Sequence, residues 1–248
     1  MSDQKNPTVS AAHTVSSYDD ELQFLVRRIS EMGGIAERMV EESVAALVNS
    51  DAALSQKVIS DDLLLDAGER EIYDKAVLVI AKRQPMASDL REIIGSIRIA
   101  SDLERVGDLG KNIAKRVIAV HTMAQPRKLV RGLEHLAELA LTQLKEVLDA
   151  FATRSPHLAN SIRERDEEID AIYTSLFREL LTYMMEDPRN ITACTHLLFC
   201  AKNIERIGDH ATNIAETVYY VATGEQLSAD RPKDDDTASM VAPEPGAD

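Results

Sequence analysis

A stretch of fourteen residues is written twice in this chain of 248, and any fold must accommodate both copies. The first runs Ser101-Asp102-Leu103-Glu104-Arg105-Val106-Gly107-Asp108-Leu109-Gly110-Lys111-Asn112-Ile113-Ala114. The second runs Lys202-Asn203-Ile204-Glu205-Arg206-Ile207-Gly208-Asp209-His210-Ala211-Thr212-Asn213-Ile214-Ala215. Aligning Glu104 with Glu205 superimposes Glu, Arg, Gly, Asp, Asn, Ile and Ala without a gap, so a charged pattern has survived a duplication.

The duplication extends further. Shifting the second predicted helix by 104 positions aligns Val58 with Ile162, Asp62 with Asp166, Asp66 with Asp170 and Tyr73 with Phe177. Two related halves follow, and the residue types say what they are made of. Ala, Leu, Glu, Arg and Ile are abundant, Trp is absent, and Gly and Pro are sparse, which favours long helices over a sheet. The expected fold is all-α.

Residues 1–17 are polar and unpatterned and are expected to be disordered. Helical periodicity begins at Tyr18, with Ser17 placed to cap it, and continues to about Ser50 through Leu22, Leu25, Ile29, Met32, Ile35, Met39, Val40, Val44 and Leu47. Gly33-Gly34 within it is a bend or a point of close packing rather than a break. Asp51 suits the N-cap of a second helix, carrying Leu54, Val58, Ile59, Leu65, Tyr73, Val77 and Ile80, which must stop near Gln84-Pro85. A third helix from about Met86 to Thr122 holds the first copy of the motif, and Gln125-Pro126 marks the joint.

The order then repeats. A helix from about Pro126 to Ala152 precedes Ser155-Pro156, an N-cap with proline at the first helical position. A fifth helix runs to about Glu186, and a sixth from about Asn190 to Ala222 holds the second motif. Gly224 suits a helix stop, and 224–248 read as a disordered acidic tail. The expected organisation is two three-helix bundles, 18–123 and 124–223, each with its own core.

With 42 acidic and 28 basic residues the formal charge is −14, which argues against nucleic acid as a partner and admits cations. Cys194 and Cys200 sit in an apolar helical context and are expected to be reduced core residues. The N-terminus does not have the form of a secretory signal, and no apolar run is long enough for a bilayer, so the expected location is the cytoplasm.

Glu104 and Asp108 stand four apart, as do Asp62 and Asp66, Asp166 and Asp170, and Glu205 and Asp209. On a helix this spacing places both carboxylates on one face, where like charges cost a few tenths of a kcal/mol and a bridging divalent cation would reverse the sign. About 7 such pairs would arise by chance on the solvated face of a chain this acidic. Recurrence in both halves and continuity with apolar stripes set these pairs apart. Gly107 and Gly208 lie inside helices and leave room for an ion, a water or a close-packed neighbour. Arg105 and Arg206 point to one side and are placed to pair with acids across the bundle, while Asn112 and Asn213 are placed to supply a carbonyl oxygen or a polar bridge. His210, beside Asp209, is the histidine nearest the pairs, although hard-ion carboxylate sites seldom use imidazole.

Several enzyme signatures are missing. No histidine has Glu three residues before it, as a ferritin-like di-iron site needs, and there is no HExxH, P-loop or GxSxG. No catalytic group is assigned.

The two motifs, together with Gln84-Pro85-Met86-Ala87-Ser88-Asp89-Leu90-Arg91 and the Asp209-His210-Ala211-Thr212-Asn213-Ile214-Ala215-Glu216 run, resemble the PhoU family of phosphate-regulon proteins. The resemblance covers about 18–223. It implies six helices in two bundles, often as a homodimer, in a cytoplasmic non-enzymatic regulator. The implied role links a phosphate ABC transporter, through its ATPase subunit, to a sensor histidine kinase and restrains uptake when phosphate is plentiful. It also implies iron or other divalent ions (Fe, Mn, Mg or Zn), bound singly or in clusters at E(D)xxxD motifs. The matching residues are Asp62, Asp66, Glu104, Asp108, Asp166, Asp170, Glu205 and Asp209. A metal-storage protein and a metal-dependent phosphoesterase are the alternatives.

Overall fold

Asp51 interrupts two long apolar-periodic stretches, and its side chain accepts a hydrogen bond from the Leu54 amide at 2.9 Å, starting one helix where another ends. The computed structural model describes residues 8–123 and 126–227, with the side chains of 8–16, Glu164 and Asp166 outside the described set. In these residues the chain forms helices α1 (Thr8–Asn49), α2 (Ala52–Arg83), α3 (Ala87–Val120), α4 (Arg127–Thr153), α5 (Pro156–Glu164), α6 (Asp166–Glu186) and α7 (Ile191–Thr223), with a 3-10 turn at Pro188–Asn190. No strand occurs among them.

Local chemistry explains most boundaries. Gln84, in the left-handed region at φ 49°, closes α2 by donating its amide to the Ile80 carbonyl, and Pro85 prevents continuation. Ser155 accepts from the Leu158 amide at 3.3 Å with Pro156 in the first turn of α5. Gly224, at φ 81°, ends α7 in the left-handed conformation that glycine adopts without a side-chain clash.

Two expectations are corrected. Helix α1 begins at Thr8 rather than Tyr18, because 8–17 contain no Gly or Pro to stop it, and Ser17 is no cap. Its hydroxyl instead accepts a bond from Arg83 at 2.6 Å. The expected fifth helix is broken at Arg165, whose backbone sits at φ −95°, ψ 1° between α5 and α6. The run from Arg163 to Glu168 is entirely charged, so no apolar side chain pins that turn to the core.

In the first half α1, α2 and α3 pack together; in the second, α4, α5 and α6 pack around α7. Between halves, α3 lies along α7 and α1 against α4. A Cβ on Gly95 would stand 2.4 Å from Val221, and one on Gly33 2.5 Å from Leu148, so these two glycines let the halves approach. The buried residues form one contiguous cluster running from Leu25 and Leu65 through Leu103 and Ile113 to Leu144 and Ile204. The expectation of a separate core in each half is therefore replaced by a shared one. Cys194 and Cys200 are free and buried in it, and burial pushes the Cys200 thiol up to about 12.

Candidate acidic sites

The buried stripe of α2 is Val58, Asp62, Leu65, Ile72, Ala76 and Val79, so Asp62 lies on the core side of its helix with Asp66 at the margin. Tyr73 and Val77, part of the apolar periodicity expected of this helix, face outward. On α3 the buried residues Leu103, Val106 and Ile113 bring Glu104 and Asp108 to the α2 boundary. The first-half carboxylates thus converge from two helices, joined by Glu69, whose charge also reaches Glu104.

Lys111 stands among them. Its ammonium lies 2.5 Å from Asp62 Oδ2 and 2.6 Å from Asp108 Oδ1, joining α2 to α3. Burial alone would depress the lysine, but hydrogen bonds to Asp108 and Asp62 overcome it and hold the ammonium well above its ordinary range. Glu104 is pushed up to about 7, first by burial and then by the charges of Asp108, Glu69 and Asp66, against the opposing pull of Arg105. Arg105 does not reach across the bundle as expected: it is exposed and bonds along its own helix, 3.4 Å from Asp108 and 3.6 Å from Glu104. Asn112 is exposed, and so is Arg206 in the second half.

The second half is more enclosed. Asp170 on α6 and Glu205 on α7 are buried, with Asp209 partly buried one turn beyond; the Asp166 side chain lies outside the described residues. Lys202 bonds Glu205 at 2.9 Å and lies over the Tyr173 ring. Glu205 Oε2 is buried without a hydrogen-bond partner among the described residues. Burial first, then Asp209 and Asp170, raise the Glu205 carboxyl to about 7 against the hydrogen bond from Lys202.

Close packing accounts for the two motif glycines. A Cβ on Gly107 would meet Leu65 Cδ1 at 2.2 Å, and one on Gly208 would meet Ile169 Cδ1 at 2.9 Å. His210 turns to the other half, where its Nδ1 lies 2.9 Å from Asp102 Oδ1. Asn213 lines an open groove of about 520 Å³ between α3 and α7 with Arg98, Asp102 and Tyr220.

A family model described as the PhoU domain matches residues 29–117 and again 133–218. This chain belongs to the PhoU family. It is similar to a phosphate-specific transport system accessory protein PhoU homolog of Rhizobium meliloti (strain 1021), 77% identical over 94% of this chain and 98% of that one. The homolog of Caulobacter vibrioides (strain NA1000 / CB15N) is 50% identical over 89% and 96% of the two chains. Among solved structures, the crystal structure of PhoU from Pseudomonas aeruginosa superimposes with a TM-score of 0.81 at 38% identity, covering 84% of this chain and 100% of that one.

The metal ions expected from the PhoU resemblance fit the two halves unequally. Among the described residues, no group of three or more His, Cys, Asp and Glu side chains is arranged to hold an ion. In the first half the shared position of Asp62 and Asp108 belongs to the Lys111 ammonium, and a cation does not fit beside it. In the second half the donor types suit a hard ion, since Asp170, Glu205 and Asp209 offer carboxylate oxygens and Glu205 Oε2 is buried without a hydrogen-bond partner among the described residues, although the three are not gathered around one position. The spacing of acids along one helix does not reveal Lys111, Glu69 or Lys202. The one usable signal was the mismatch of Lys111 with Thr212 in the aligned repeats.

Proposed function

We propose that this chain is an accessory regulator of phosphate-specific transport. It works in the cytoplasm as an adaptor between the ATPase subunit of a phosphate ABC transporter and a sensor histidine kinase, restraining uptake and starvation genes when phosphate is plentiful. The observation that carries this reading is identity to a named accessory protein across nearly the whole of both chains. Two structural features agree with it. Among the described residues no helix is long and apolar enough to cross a membrane. The outward face of α2 exposes Leu63, Leu64, Tyr73, Val77 and Leu78, the kind of apolar surface a docked protein covers.

The reading includes a homodimer and a divalent or iron ion in the second half, held by Asp170, Glu205 and Asp209. When bound, such an ion would neutralise buried negative charge and tie α6 to α7. Metal storage is disfavoured because Lys111 removes one of the two duplicated sites such a protein would use.

The test is a pull-down of tagged protein from cells grown at high and low phosphate, alongside a deletion strain. Transporter ATPase and kinase should be recovered with wild type, and recovery should fall with Tyr73→Asp/Val77→Asp. Starvation genes left silent at high phosphate after deletion would sink the reading.

A further inference from the structure

Among the positions at which the two copies of the motif differ, one sets Lys111 in the first against Thr212 in the second. Thr212 is fully buried and bonded by Gln143 Nε2 at 3.0 Å. Lys111 instead extends between α2 and α3, one-fifth exposed, with its ammonium on one carboxylate from each helix.

A divalent ion bridging Asp62 and Asp108 would require oxygens at roughly 2.0–2.6 Å, which is where Nζ already stands. Two cations cannot share that position: at such separations their repulsion far exceeds what solvent screens at a site this enclosed. Entry of a metal would therefore require Lys111 to leave, breaking both of its bonds and exposing a stem now packed between helices. Asp62 is too buried to exchange partners through solvent without that movement.

We propose that the first acidic site is a closed, metal-independent ion-pair site in which the Lys111 ammonium takes the place of a bridging divalent cation. Cation binding by this chain is then confined to the second half. The closed first site goes beyond the adaptor reading and does not depend on it; the confinement of cations to the second half rests on the ion proposed there.

The experiment uses the full chain stripped with EDTA, Mn²⁺ as the probe, and bound metal measured by equilibrium dialysis with elemental analysis. In a Glu205→Gln/Asp209→Asn background Mn²⁺ binding should vanish and the melting temperature should not respond to Mn²⁺. Adding Lys111→Thr to that background should lower the melting temperature in EDTA, and Mn²⁺ should restore it with binding that Asp62→Asn removes. Mn²⁺ retained by the background and lost on Asp62→Asn/Asp108→Asn would overturn the proposal, as would no gain from Lys111→Thr. Should that variant fail to fold, Asp62→Asn/Asp108→Asn in the otherwise wild-type chain decides. Its melting temperature should drop equally in Mn²⁺ and in EDTA; a drop confined to Mn²⁺ would overturn the proposal.

Discussion

Asp102 and His210, 108 positions apart, meet at 2.9 Å where α3 lies along α7, and both are largely shielded from solvent. The contact joins one copy of the duplicated motif to the other. With the proton on Nδ1, the imidazole donates to the carboxylate in either charge state. Asp102→Ala and His210→Ala should each lower stability by about 1–2 kcal/mol, with the double variant close to either single one. Urea denaturation of the four proteins measures the coupling, and additive losses would show that the pair is not energetically linked.

Gly107 and Gly34 make a matched pair of helix-interior glycines. At Gly107 a methyl group would collide with Leu65 at 2.2 Å, whereas at Gly34 nothing lies within 4 Å of a new Cβ. Alanine at position 34 should stabilise by about 0.5–1 kcal/mol through helix propensity. Alanine at position 107 should destabilise by about 1–3 kcal/mol, because overpacking at the fully buried Leu65 outweighs that gain. Thermal melts of both variants should therefore shift in opposite directions.

Glu205 sets a pH dependence in metal-free protein. Its carboxyl is raised from an ordinary 4.5 to about 7, so the folded state holds a proton that the unfolded state releases across that window. The resulting stability is fully present below pH 4.5 and is lost as pH rises towards 7. After allowance for solvent screening, the loss is about 1–2 kcal/mol. In EDTA, the stability of wild type relative to Glu205→Gln should decline by that amount between those limits. A pH-independent difference would mean that the buried carboxyl is not what titrates.

Asp51→Ala removes the side-chain acceptor at the start of α2. A loss of about 1 kcal/mol is expected, against a few tenths for Asp51→Gly, as measured by chemical denaturation.

Where local chemistry decides, the sequence was sufficient. Asp51, Ser155 and Gly224 act on the backbone next to them, and their positions follow from residue type and neighbours. The outward side of α2 was misassigned because Tyr73 and Val77 share the helical period with the true inner residues Ile72, Ala76 and Val79. Periodicity identifies a stripe but cannot choose between adjacent ones on a helix with apolar residues on several sides. Lys111 was hidden for a related reason: its role depends on Asp62, 49 positions away on another helix. The break at Arg165 was missed because its cause is the lack of an anchoring apolar side chain rather than a glycine or proline.

The continuous core ties the two copies of this duplicated chain together. A half cut free would carry an uncovered inner surface, including the groove at Gly95 that Val221 fills and the close approach of Gly33 to Leu148. The copies therefore cannot be traded as modules or lost one at a time; damage to either is felt as failure of the whole. Their side chains are free to specialise, as Lys111 and Thr212 have, only while the seam between them stays closed.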